Sequence, residues 1–175
     1  MKRNARQLRM MTSRTVIRTA SVLTLGLALA ACVSTAPPVK PPVDTTTSAQ
    51  RMAAVDASAG KDDKELDVQP LRDAGIEDLR VVAKAKRQAN DLAGAAEALD
   101  QALLINEGDP SIVQERAEIA LLQGDWARAE TLARKAVELG SKTGPLCRRH
   151  WATIEQARLA RGEKGNAASA HAHVE

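Results

Sequence analysis

An internal period of 34 residues narrows the possible folds of this chain more than any other feature. Asn90-Asp91-Leu92 is answered by Gly124-Asp125-Trp126, Ala95 by Ala129, Ala102 by Ala136 and Ile105 by Leu139, all at the same spacing. Such a period signals stacked copies of one supersecondary unit, none able to bury its apolar face alone. Within each copy the pattern is helical. Ala129, Leu132, Ala133, Ala136 and Leu139 recur at three and four and make one continuous stripe. Val113, Ala117 and Ala120 line one face of the helix before it, Gly124 predicts its end, and Asp125 predicts a cap for the next. The first copy reads alike. Leu79, Val82 and Ala83 form an inner face, Asp91 caps, and Ala95, Leu99, Ala102 and Ile105 form the second stripe. Gly108 predicts the end of that helix, and Asp109-Pro110 supplies a cap and a first-turn proline for the one that follows.

A 34-residue period with alanine at two fixed positions resembles the tetratricopeptide repeat. The resemblance spans residues 71–175 and implies an all-α domain, a short solenoid of about two and a half to three helix-turn-helix units. Two departures stand out: the family's aromatic on the first helix is replaced by Lys86 in one unit and Ala120 in the next. A third unit opens at Gly144-Pro145, with Trp151, Ile154, Gly162 and Ala167 on preferred positions. There Glu155 stands where a small residue belongs and His171 where a large apolar one belongs, which predicts a solvated terminal cap. In such solenoids the first helices line an inner groove. By resemblance its positions are Arg80, Lys84 and Arg87, then Gln114, Glu118, Leu121 and Leu122, then Arg149, Gln156 and Leu159. A groove basic at one end and apolar in the middle suits an extended peptide or a partner helix with an acidic end.

The chain has two Trp and neither Tyr nor Phe, so its core is built from alanine and aliphatic side chains. Small side chains gain little each at about 25 cal/mol per Å² of buried apolar surface. The expectation is a marginal domain that gains stability from a partner or from self-association. Trp126 falls where the stripe logic predicts packing between helices rather than ligand contact.

The N-terminal 70 residues have a different character. Six basic residues and no acidic one lie in residues 1–31, and an apolar run from Ala20 ends in Leu29-Ala30-Ala31-Cys32. The run is too short to span a bilayer, which takes about 20 apolar residues. Leucine, two small residues and cysteine in that order resemble the lipobox of a bacterial lipoprotein. The resemblance implies removal of residues 1–31, acylation of Cys32 with chains such as palmitate, and anchoring in the outer membrane facing the periplasm. Val33 stands where an inner-membrane-retained lipoprotein commonly has aspartate. Met10 and Met11 offer alternative starts. Residues 32–70 carry Pro37-Pro38, Pro41-Pro42 and the charged run Lys61-Asp62-Asp63-Lys64-Glu65, and too few apolar groups for a core. They read as a flexible tether of about 35 Å root-mean-square span, with at most a short helix over 50–59.

Removing residues 1–31 reverses the charge. The whole chain is +3, but 6 of its 25 basic residues and none of its 22 acidic ones lie there, leaving 19 against 22 and a net of −3. Nucleic-acid binding is not expected of such a surface. Cys147-Arg-Arg-His150 places a thiol and an imidazole one helical turn apart, a spacing two metal ligands could share, but no further ligand accompanies them and Arg148 and Arg149 would repel a cation. His171 and His173, two apart, point in different directions on a helix. No phosphate loop, nucleophile triad or paired-carboxylate pattern is present, so neither an enzyme nor a cofactor is expected. The expected function is a membrane-anchored protein–protein adaptor in the Gram-negative envelope with an envelope protein as partner. The alternative is an accessory subunit of a peptidoglycan enzyme or of pilus or secretin assembly.

Overall fold

The three turns that join the two helices of each hairpin in the repeat region share one backbone device. Asn90, Gly124 and Gly162 all take left-handed φ, at 61°, 78° and 77°. This is the conformation that ends a helix and sends the chain back, and glycine adopts it without a Cβ penalty. The computed structural model describes residues 44–60 and 73–174. Among these lie seven α-helices: α1 (Ser48–Ser58), α2 (Ala74–Gln88), α3 (Leu92–Ile105), α4 (Pro110–Gln123), α5 (Trp126–Leu139), α6 (Pro145–Ala160) and α7 (Lys164–His171). The pairs α2–α3, α4–α5 and α6–α7 are the three hairpins, each stacked on the next. The fold is all-helical, as the repeat predicts. The apolar run, Cys32 and the charged run after Gly60 lie outside the described residues.

Local chemistry explains most boundaries. Asp73, Asp91, Asp109 and Asp125 each accept a backbone N–H of the following first turn, and Pro110 occupies the first turn of α4. One expected stop moves: α3 ends at Ile105 with Asn106 extended, so Gly108 lies in the loop beyond it.

The stripes form the core with three exceptions. Ala95, Leu99, Ala102, Val113, Ala117, Ala120, Ala129, Ala133 and Ala136 are buried, joined by Ile76, Ile112 and Ile119. Val82 is 46% exposed, because the buried face of α2 runs through Ile76, Leu79 and Ala83 instead. Ile105 and Leu139 are also open to solvent, each being the last residue of its helix. The third hairpin closes with Ile154, Ala167 and Ala170 buried. Its two off-pattern residues meet each other: His171 Nδ1 lies 3.2 Å from Glu155 Oε2. A polar pair thus replaces the small–large apolar pair of a regular unit, on the short helix that ends the stack.

The largest difference from the sequence reading is α1, which lies inside the stretch expected to be tether. Thr47 and Gln50 form a reciprocal capping box at its start. Arg51, Met52 and Val55 are buried against α4 and α6. The helical domain therefore includes at least residues 48–58 in addition to the hairpins.

Candidate partner-binding groove

The expected groove lies between the first helices of the hairpins, α2, α4 and α6, and the structure fills much of it. Helix α1 sits on α4 and α6. Its Met52 and Val55 join Leu121, Ala120, Ala129, Ala152 and Ala157 in one apolar cluster, with Leu122 and Trp126 at the edge. Leu121, expected as open apolar floor, is fully buried there. The reason is elementary: a leucine on an inward-curving face is costly to leave in water, and a short amphipathic helix of the same chain is at hand to cover it.

The polar groove residues are taken up in turn. The Arg51 guanidinium, 2% exposed, donates to the Gln156 carbonyl at 3.3 Å, pairs with Asp44 and lies 5.7 Å from the centre of the Trp126 ring. Trp126 thus packs between helices, as its stripe position predicts, and also faces a cation from α1. Arg149 reaches Glu118 at 2.6 Å and Asp56 of α1 at 3.0 Å. Arg87 reaches Glu118 at 3.4 Å and Asp56 at 3.9 Å. Arg148 donates to the carbonyls of Ser58 at 3.1 Å and Ala59 at 2.9 Å, putting a cation at the negative end of α1. Arg80 is held by Glu115 and Glu77, and Lys84 is exposed on α2.

Beneath α1 runs a buried polar row. Gln114 Nε2 donates to Thr153 Oγ1 at 2.8 Å and to Glu118 Oε1 at 3.1 Å, and its Oε1 lies 2.8 Å from His150 Nδ1. Burial pushes the Glu118 carboxyl up, against the pull of Arg149, Gln114 and Arg87. Of the expected groove set, the structure brings Leu121, Arg149 and Gln156 against α1, with Glu118 and Gln114 joined to them through Arg149, Arg87 at the rim and Leu122 half-buried at the edge. Arg80 and Lys84 lie further along α2.

A second cluster outside the groove ties hairpin to hairpin. Glu130 of α5 meets Arg134 at 2.9 Å, Arg158 at 2.9 Å and also Arg161. Burial would raise this carboxyl, but hydrogen bonds from the three arginines outweigh it and hold its pKa at about 2.

Cys147 is buried, and that burial pushes its thiol pKa up. His150 is engaged by Gln114, and among the described residues no three His, Cys, Asp or Glu side chains gather in a way that could hold a metal ion. His173 stacks on Trp151 at 4.0 Å, apart from the His171–Glu155 pair. No described helix is long and apolar enough to cross a membrane.

No protein-family model matches the chain, and no curated protein does. Among solved structures, the chain is similar to the globular C-terminal domain of Pseudomonas aeruginosa LpoP, with 29% identity and a TM-score of 0.57. The match covers 59% of this chain and 98% of that domain.

Proposed function

We propose that this chain is an outer-membrane lipoprotein facing the periplasm, anchored through Cys32, whose helical domain binds a peptidoglycan synthase and regulates it. The observation that carries this reading is the likeness to the LpoP domain, 29% identical over nearly the whole of that domain. The order of segments supports it: a lipobox-like Leu29-Ala30-Ala31-Cys32, a proline-rich stretch, then the helical domain. The likeness favours the accessory-subunit reading over a general adaptor and gives no support to pilus or secretin assembly. Action by binding is supported by the groove itself, whose described residues form ion pairs and apolar contacts. Crosslinked envelopes from cells carrying an epitope-tagged chain test this, followed by glycan polymerisation assays with the synthase recovered. Co-purification of a synthase whose rate changes when the chain is added is the expected result. Recovery of pilus or secretin components without a synthase would overturn it.

A further inference from the structure

Helix α1 sits in the groove as a ligand would. It packs on α4 and α6 rather than on its neighbours in sequence, and Arg51 bonds Gln156 across 105 positions of chain. Its large apolar contacts are two, Met52 and Val55. The rest of its attachment is polar and lies at the ends: Arg51 at one, Asp56 and the carbonyls of Ser58 and Ala59 at the other. An interface with a small apolar centre and a charged rim is the kind that exchanges rather than locks.

The surface beneath is built to receive a helix whether or not α1 is on it. Leu121 and Trp126 form its apolar part, and Gln156 presents acceptors for an arginine. Arg87 and Arg149 face an acid, and Arg148 faces helix C-terminal carbonyls. Both arginines also lean on Glu118, so they stay in place when Asp56 leaves.

We propose that the groove between α4 and α6 is a helix-binding site, that α1 is its built-in occupant, and that the partner presents a short amphipathic helix of the same pattern and displaces α1. The pattern is Arg51-Met52-x-x-Val55-Asp56: an arginine beside a large apolar residue, a second apolar residue three positions later, and an acid next to it. This deepens the proposed function by naming what the partner shows to the groove. It rests on that reading only for who carries the helix.

The test needs no synthase. A fluorescent peptide of residues 44–60 is titrated into the full chain carrying Cys32→Ser, and into the same chain with Met52→Asp and Val55→Asp added. The peptide is expected to bind the triple variant at least about tenfold more tightly than the single variant, because the resident helix no longer competes. A peptide carrying both aspartates is expected not to bind. Equal binding to both proteins, or none to a triple variant that still melts cooperatively, overturns the proposal. Hydrogen exchange on the Cys32→Ser chain is the safeguard against misfolding of the triple variant. Amides of 48–58 are expected to exchange at least tenfold faster than those of α4, and equal protection overturns the proposal. Exchange of α1 between two copies, seen as a dimer by ultracentrifugation, would overturn the in-chain occupant. Failure to recover a synthase from envelopes would leave all of these results as they are, so the two readings fail separately.

Discussion

His150 makes the domain sensitive to acid, with a sign and size that follow from its surroundings. The ring is fully buried between α4 and α6. Gln114 Nε2 can only donate and faces Thr153 Oγ1 and Glu118 Oε1, so Gln114 Oε1 accepts the His150 Nδ1–H. That leaves Nε2 as the bare lone pair, buried and without a hydrogen-bond partner. A proton there would place a charge in a site shielded from water and beside Arg149 and Lys142. Burial first, then these two cations, lowers the pKa from 6.5 to about 4. The unfolded chain takes up this proton near 6.5 and the folded chain only near 4. Stability is therefore fully present above 6.5 and is lost progressively as pH falls toward 4. At 1.4 kcal/mol per pH unit, the loss between pH 7 and pH 5 is about 2 kcal/mol. Glu118 acts in the opposite sense: burial raises its pKa, so its protonation adds stability as the solution becomes acid and offsets part of the His150 loss. Urea unfolding of the full chain at pH 5, 6, 7 and 8, alongside His150→Leu, is the assay. The variant is expected to be less stable at every pH, since Gln114 Oε1 loses its donor, but to lack the slope between pH 7 and pH 5. A difference in stability between wild type and variant that stays the same from pH 7 to pH 5 refutes the reasoning.

Other outcomes follow from the packing. Leu121→Ala empties a fully buried site that supports both α4 and α1, and is expected to cost about 3 kcal/mol in urea melts and to raise exchange in 48–58. Gly124→Ala is expected to cost about 1 kcal/mol for the left-handed turn alone, because the added Cβ would rest 3.5 Å from Trp126 at ordinary contact distance. Glu130→Ala is expected to cost about 1 to 2 kcal/mol, less in high salt, by leaving Arg158 and Arg161 without their shared carboxylate. Cys32→Ser is expected to move the chain from the membrane to the soluble fraction on cell fractionation; a chain that stays membrane-bound would end the anchoring proposal.

The hairpins are legible because local and repeated signals agree. An aspartate cap, a stripe at three and four, and a left-handed turn residue recur at one spacing, and each is caused by residues within a few positions of it. Val82 misled for a physical reason: on α2 it lies beside Ala83, and only the direction from which α3 and α4 approach decides which of the two is covered. Helix α1 was hardest to see. It has two large apolar residues, too few for a periodic signal, and apart from Asp44 and Arg87 the side chains that hold it come from more than sixty positions away. Its trace in the sequence is the Thr47-x-x-Gln50 box, a helix start that any window scored for hydrophobicity passes over. The repeat period assigns the groove residues a place along their helices, but it carries no information on whether the groove is vacant. Nothing in Leu121 itself tells whether its cover comes from a partner or from the same chain.

The docking of α1 also sets a length. Under the proposed anchoring at Cys32, the covalent path to the first described residue, Asp44, is 12 residue steps, a reach of at most about 40 Å. Were α1 to leave the groove and unwind, the path would run on to Asp73 and the reach would rise to about 140 Å. Under the proposed anchoring and release, one short helix would act as a reel: seated, it limits the tether to about 40 Å; released, it would let out more than three times the line. Occupancy of the binding face and reach from the anchor would then become one variable, so the helix that captures the groove would also set how far from the membrane the domain can work.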